Sequence, residues 1–517
     1  MLGSLIFVGF CIFLFFFLIR IQKPKNFPPG PRPLPIVGNL LHFNINNPLK
    51  DFKLLAERYG NVYSLYLGRS PAVVLNGLKA IKEALVTKSA DFSGRPQNLL
   101  ISHMMEGKGV ILADYGPAWK EHRRFALMTL RNFGLGKQSM ENRILGEIEH
   151  IVAKLEKHAG SVLNPQSLFH NAASNIIYLM LSGTRYEYGE ETLNKSVKWI
   201  SEITKILNGP WSLIYDTLPW IRSLPLPFMK LFKNNNLLKE MTMTMIKNHK
   251  TTRVRGEPRD FVDCYLDDLD MEKTGSTFNE DQLVMYILNL HMAGSDTPSN
   301  TLLTAFLYLM AYPDIQGLTF TSLHFNIKYC YMKHKIANIL FLERCKQKID
   351  EVLQGKSHVS FEYRYNMPHT QAVIHEFQRI ANITPLSVFH STTRDTELMG
   401  YSIPKGTIII PNLSSVLNEE GQWKFPNEFN PSNFLNKQGQ FEKPEAFIPF
   451  SAGPRLCLGE GLTRMELFLI LVSLLHRFQF IWPEDAGEPD FTPVFGITLT
   501  PKPYKMGIRL RQPATEN

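Results

Sequence analysis

The chain has 517 residues, enough for two or three average domains or one large one. A hydrophobic fraction of 44% beside 20% charge allows a sizeable core and excludes a disordered or fibrous protein. The net charge of +9 is small for this length, and no basic run carries interleaved aromatics, so nucleic acid is excluded as a partner and anionic lipid or an acidic protein fits better.

From the start, Leu2 to Ile19 is apolar apart from Gly3, Ser4, Gly9 and Cys11 and carries no charge. About 18 such residues is near the lower limit for a membrane-spanning helix. Arg20, Lys23 and Lys25 follow it, whereas a cleaved signal would carry its basic residues first and end in small ones. The expectation is an uncleaved anchor over residues 1–20, with the body held in the cytosol by the positive-inside rule. A cleaved signal is the alternative. Residues 21–35 are a basic, proline-rich hinge, because the run Phe27-Pro28-Pro29-Gly30-Pro31-Arg32-Pro33-Leu34-Pro35 excludes helix and favours a stiff, extended chain. Residues 36–517 are the body.

Within the body, Val62 to Leu67 and Ala72 to Leu75 read as a hairpin around Gly68 to Pro71. Apolar spacing predicts helices over Ile81–Lys88, Asn142–His158 and Leu168–Leu181. Trp119 and Arg123 stand four apart and share one helix face. Asn208 to Phe232 holds Trp211, Trp220, Phe228 and four prolines as a loop between helices. It either dips into a bilayer interface or packs on its own core. Leu283 to Met310 is apolar enough for a long buried helix, interrupted by Ala293-Gly294-Ser295-Asp296-Thr297-Pro298. Proline lacks the amide that would bond the Gly294 carbonyl, so this helix is expected to bend or widen, or else to break after Thr297. Glu376 and Arg379 meet on a helix over His375–Arg379.

The five cysteines are Cys11, Cys264, Cys330, Cys345 and Cys457; without a C-x-x-C pair they fit a reducing compartment. Only Cys457 has a chemical setting, in Phe450-Ser-Ala-Gly-Pro-Arg-Leu-Cys-Leu-Gly459. Gly453 and Gly459 permit close backbone approach, Arg455 brings positive charge, and a helix over Leu462–Phe478 aims its first amides at the sulfur. That is a seat for a metal bound through one thiolate; a buried structural cysteine is the bland alternative.

This loop, with its fixed Phe, Gly, Arg, Cys and Gly, resembles the haem-binding loop of the cytochrome P450 family, and the resemblance runs from about Phe27 to Leu510. It implies a mainly helical fold with smaller β-sheets, behind a transmembrane helix, and haem b with Cys457 as axial iron ligand. Trp119, Arg123, His390 and Arg455 match positions that hold the haem propionates, although Phe389 stands where the family usually has proline. Phe450, Gly453 and Gly459 match the rest of the cofactor loop. The Ala293–Thr297 segment matches the oxygen groove, with small residues leaving room for dioxygen and with Asp296 and Thr297 relaying protons; Pro298 departs from the usual Thr or Ser. Glu376 and Arg379 match a buried network with the stretch around Trp423, Pro426, Phe429, Pro431 and Phe434, where Asn433 replaces the more common Arg or His. Alignment puts Val110, Ile111, Leu112, Ala113, Ala293, Leu386, Val388 and Phe495 in the substrate pocket.

The resemblance is to vertebrate microsomal members of family two, which implies an endoplasmic reticulum location, a lipophilic xenobiotic, fatty-acid or steroid substrate, and electrons from an NADPH-dependent flavoprotein reductase, with cytochrome b5 as a second partner. No glycine fingerprint joins a strand to a helix, so the chain itself binds neither flavin nor nicotinamide. Two other functions stay open: a haem-thiolate isomerase or peroxygenase acting on an oxygenated lipid, and a membrane haem protein inactivated by an insertion. That insertion is 317–342, which splits an otherwise amphipathic helix joining Ile315 to Ile349 and Val352. It contains no Asp or Glu but many aromatics. A surface segment shaped by water carries charge of both signs, so it reads as retained non-coding sequence or a minor splice form, with a working insertion as the alternative.

Overall fold

The computed structural model describes residues 2–18, 23–44, 47–132, 138–271, 275–311, 344–354, 356 and 358–511. The insertion at 317–342 lies outside them. Helix α1 spans Leu2–Leu18 (17 residues), a rise of about 25 Å. That is short of a hydrocarbon core of about 30 Å, and among the described residues no helix is long and apolar enough to cross a membrane. The expected transmembrane helix is thus found only as an apolar α1, with Arg20 outside the described residues. The proline-rich segment is no free spacer, because the Ser64 amide donates to the Pro29 carbonyl at 2.7 Å and the Ser64 hydroxyl to that of Pro28 at 2.8 Å.

After α2 (Pro48–Tyr59), the expected hairpin forms from β1 (Val62–Leu67) and β2 (Ser70–Leu75), in register Val62 to Leu75. Helix α3 (Gly77–Lys82) passes into a π-turn over Glu83–Thr87, and α4 (Leu100–Met104) is short. Then come α5 (Pro117–Asn132), α6 (Gln138–Glu156), β3 (Val162–Leu163), α7 (Gln166–Ser182), α8 (Glu191–Leu207), α9 (Pro210–Thr217), α10 (Phe228–Thr252) and α11 (Phe261–Asp270). The segment 208–232 is therefore no plain loop. It contains α9 and a 3-10 turn at Pro219–Ile221, and Phe228 is fully buried while Trp220 is 68% exposed.

Helix α12 spans Glu280–Ala311 and runs through Pro298 without the break that sequence allowed. Helix α13 is described over 344–353 and buries Cys345, Ile349 and Leu353, four apart on one face. Helix α14 (Pro368–Ala381) leads to β4 (His390–Ser391), β5 (Thr396–Leu398), β6 (Tyr401–Ile403), β7 (Ile408–Pro411) and α15 (Leu413–Leu417). Helix α16 (Glu460–Arg477) starts two residues before the expected Leu462, and β8 (Phe478–Ile481) and β9 (Met506–Leu510) close the fold. The strands form sheets in the orders β1-β2-β7-β4, β3-β9-β8 and β5-β6. The first sheet is buried on both faces: Val73, Leu75 and Ile409 join the main core, while Tyr63, Leu65, Val74, Ile408 and Ile410 form a smaller cluster. Helices α12 and α16 are lined by buried residues on nearly every face, as helices through the middle of a large core must be.

Candidate functional site

The loop before α16 is shaped by close backbone approach. Gly453 has φ +72°, and a Cβ there would lie 1.8 Å from the Leu85 carbonyl in the π-turn, so a side chain is forbidden twice over. The Cys457 amide donates to the Phe450 carbonyl at 3.1 Å, closing the loop. The amides of Gly459 and Glu460, at the start of α16, donate to the Cys457 sulfur. The Cys457 side chain presents accessible area, yet burial is the main influence on its thiol and pushes it up, against the Gly459 amide and the Arg123 charge. The sulfur thus keeps accessible area although the surrounding protein desolvates it. Arg464 pairs with Glu460 at 2.6 Å and stands over the Phe450 ring.

Cationic side chains gather above this loop. Trp119 and Arg123 share a face of α5 as expected, the guanidinium 5.5 Å from the indole centroid. The indole N–H donates to the Val110 carbonyl at 2.9 Å, and Arg123 donates to the Leu456 carbonyl beside Cys457. The Arg455 guanidinium lies 4.0 Å from the same centroid and donates to the carbonyls of Ser93 (2.9 Å) and Ala113 (2.8 Å). His390 is held by the pairing of β4 with β7, opposite Ile409. Its Nδ1 lies 2.7 Å from the Phe92 carbonyl, and its Nε2 is buried without a partner among the described residues.

Sequence reasoning missed Arg95. It is buried, donating from Nε to the Ile111 carbonyl (2.9 Å) and from Nη1 to those of Val388 (2.9 Å) and Phe389 (2.8 Å). A single arginine between Gly94 and Pro96 offers no periodic signal. Burial and mutual repulsion hold Arg95, Arg455 and His390 below their usual ranges, and Asp114 is the carboxylate that counters the two arginines. Two guanidiniums countered by one carboxylate, with Arg123 close enough to repel both, have the chemistry to receive a group carrying more than one negative charge.

The residues expected at the substrate pocket lie in several parts of the fold. Asn289 of α12, also missed, straps the 110–113 segment by accepting from the amides of Val110 (3.3 Å) and Ile111 (3.0 Å). Val110 and Leu112 pack in the main core with Ile111 and Val388 against it. Leu386 instead packs with the smaller cluster under the first sheet, and Phe495 is half-buried and packs with neither cluster. Along the buried α12, Met292, Ala293, Gly294 and Thr297 keep some accessibility. Gly294 does not open room as expected, because a Cβ there would meet the Ile177 side chain at 2.3 Å; it lets α7 approach. The Thr297 hydroxyl donates to the Ala293 carbonyl at 2.8 Å, and Asp296 accepts from the Thr498 hydroxyl at 2.8 Å.

The Glu376–Arg379 pair is fully buried and bidentate, with both contacts at 2.7 Å. Arg379 also donates to the carbonyls of Leu417, Pro426 and Glu428, and Asn433 reaches both carboxylate oxygens at 3.2 and 3.4 Å. A neutral amide thus takes the third place in the network, as the sequence implied.

The profile of the family described as Cytochrome P450 matches residues 28–318 and 338–508. The chain belongs to the cytochrome P450 family. It is 38% identical to mouse Cytochrome P450 2F2 over 488 residues, covering 94% of each chain. It is 39% identical to rat Cytochrome P450 2D3 over 493 residues, covering 94% of this chain and 93% of that one, and equally so to a pig protein named Vitamin D(3) 25-hydroxylase. These are microsomal P450s of family two, and the chain is accordingly a P450 monooxygenase. Such enzymes hold haem b through an axial cysteine thiolate, and their P450 domain carries no flavin. The chemistry of the cationic cluster fits that cofactor, whose two carboxylates would neutralise it.

Proposed function

We propose that this P450 is a membrane-bound enzyme of the endoplasmic reticulum that inserts one atom of dioxygen into a lipophilic xenobiotic, fatty acid or steroid, using NADPH through a flavoprotein reductase. The observation that carries the reading is the Cys457 sulfur, accessible yet desolvated, held by the Gly459 and Glu460 amides within reach of the Arg123 charge. Cys457 would ligate the iron, and Arg95, Trp119, Arg123, His390 and Arg455 would hold the propionates. The haem supplies oxygen activation when bound. Charge from the propionates would raise His390 back towards the imidazolium form, turning its unpartnered Nε2 into a donor. The amides of Gly459 and Glu460 keep electron density on the sulfur within limits set by hydrogen bonding. Asp296 and Thr297 hold protons at the far wall, Asp296 fixed by Thr498. Apolar walls from Val110 to Ala113, Ala293 and Val388 exclude water and favour an apolar substrate.

Support for the partners lies on the surface. The outer face of α5 exposes Lys120, Arg124 and Arg131 around Leu127 and Met128, opposite the face that carries Trp119, so an acidic reductase or cytochrome b5 docking there sits one helix from the site. Leu34, Ile36, Leu41, Trp220 and Leu224 are exposed, and the carbonyls of Ile36 and Thr217 meet over Gly68, which joins the segment after the hinge to the end of α9. Together they offer an apolar side for a bilayer.

The deciding experiment is Cys457→Ser and Cys457→His in the full chain. The wild type is expected to give the thiolate-type reduced carbon-monoxide difference spectrum and NADPH consumption with reductase present. Both variants are expected to lose them while retaining fold by circular dichroism. A variant that still binds haem with an unchanged spectrum overturns the ligand assignment.

A further inference from the structure

Helices α7 and α12 pack closely because Gly294 admits Ile177, yet the seam between them is more polar than packing requires. His170, Ser174 and Tyr178 stand four apart along α7, and His291, Ser295 and Ser299 four apart along α12, so each set shares a face. At one end the rings of Tyr178 and His291 lie 4.3 Å apart. At the other, His170 Nε2 lies 4.0 Å from Asp296 Oδ1. Between them, the Ser174 and Ser295 hydroxyls are buried without partners among the described residues.

Asp296 is 9% exposed, and its Oδ2 is occupied by the Thr498 hydroxyl. Its other oxygen is the one that faces His170. The imidazole orientation is set from its far side: Nδ1 lies 2.8 Å from the Gln166 carbonyl, which can only accept. Nδ1 therefore keeps its hydrogen, and Nε2 is the nitrogen free to gain or lose one. The His170 side chain is 15% exposed and that of Asp296 12%, so the pair lies at an end of the seam where both keep a little accessible area.

We infer that His170 is the positioning residue that exchanges protons between solvent and Asp296. The imidazolium gives its Nε2 proton to Asp296 Oδ1, leaving a neutral imidazole and a carboxylic acid, and solvent returns a proton to Nε2. No electrons move. At 4.0 Å the transfer needs a small rotation of His170 or one bridging water. Burial pushes the Asp296 carboxyl up, while the His170 charge and the Thr498 hydroxyl pull it down. His170 from α7 is the titratable group that acts on Asp296; His291 and Tyr178 lie at the opposite end of the seam. The inference rests on the reading of Asp296 as the acid beside Thr297.

The test is an infrared pH titration of the resting full-length holoenzyme with carbon-13 aspartate, where Asp296→Asn identifies the Asp296 carboxyl band. His170→Gln keeps polarity but removes the charge, and His170→Arg keeps a charge that does not titrate. With His170→Gln the midpoint of the Asp296 band is expected to rise by about one pH unit, since a nearby cation no longer favours the carboxylate. His170→Arg is expected to keep it at or below the wild-type value. In turnover, His170→Gln is expected to release several-fold more hydrogen peroxide per NADPH than the wild type. An unmoved midpoint in His170→Gln overturns the inference even where Asp296→Asn uncouples turnover. Conversely, a moved midpoint with an Asp296→Asn enzyme that stays coupled supports the pairing and removes the acid role of Asp296.

Discussion

Glu466 on α16 is buried at 2% exposure, and one of its oxygens has no partner among the described residues. Glu147 of α6, fully buried, lies close enough to repel it and is itself occupied by Arg185 at 2.8 Å, by Asn175 and by the Tyr188 hydroxyl. With Arg185 committed to Glu147, the second carboxyl must stay protonated, and burial followed by repulsion from Glu147 pushes Glu466 up to about 8. A raised folded-state value means that the native chain holds a proton the unfolded chain has lost between about pH 4.5 and 8. Stability from this group is complete below that window and falls as pH rises through it. Glu466→Gln mimics the protonated acid and cannot ionise. It is expected to raise Tm by a few degrees at pH 8 relative to wild type and to do little at pH 4.5, measured by thermal denaturation at both values. An equal effect at the two values would contradict the assignment. No sequence pattern marks this pair, because a glutamate on an apolar helix looks like a surface residue until the partner helix is known.

At the scale of elements, α14 is tied to the 425–433 stretch by Glu376, which accepts from Arg379, the Asn430 amide and Asn433. Removing the carboxylate leaves a buried guanidinium without its counter-charge, which costs about 3–5 kcal/mol. Glu376→Ala is therefore expected to lower the urea midpoint strongly and to reduce haem content, whereas Asn433→Ala, which removes one neutral partner, is expected to cost about 1 kcal/mol. Equal losses in the two variants would mean that the charge is not what matters. The spacing of Glu376 and Arg379 was legible in the sequence, as were the hairpin, α5, α12 and α16, because period and caps are local. At Pro298 the alternative of a break does not occur: α12 continues through it, packed along α7 and the core on either side, since tertiary burial outweighs a lost helix bond. The 208–232 stretch hid α9 because prolines read as loop even where Pro210 occupies the first helical turn, the position it tolerates best. Arg95 and Asn289 join segments far apart in the chain, and nothing local announces such contacts.

At the scale of the whole molecule the segment 317–342 stands apart in composition. Helix α12 is described as far as Ala311, and α13, described from 344, seats Cys345, Ile349 and Leu353 in the core. The family profile breaks after 318 and resumes at 338, within the stretch that sequence composition had marked. Removing 317–342 leaves 491 residues and brings Gln316 next to Glu343. We propose that the shortened chain is the principal native form. Loop closure alone is a weak penalty, since doubling a loop costs only about 0.6 kcal/mol. The stronger cost is exposure: Phe320, Phe325, Tyr329, Tyr331 and Phe341 stand in a run with no acidic residue, which is the composition of an aggregation-prone segment. Expression of both forms side by side is therefore expected to give the 491-residue chain a several-fold higher soluble yield and more haem per chain. Peptide mass spectrometry of the protein from its native cell is expected to find the junction of Gln316 with Glu343 as the main species. Peptides from within 317–342 as the main species, together with equal haem loading of the two forms, would make the segment a working part of the enzyme.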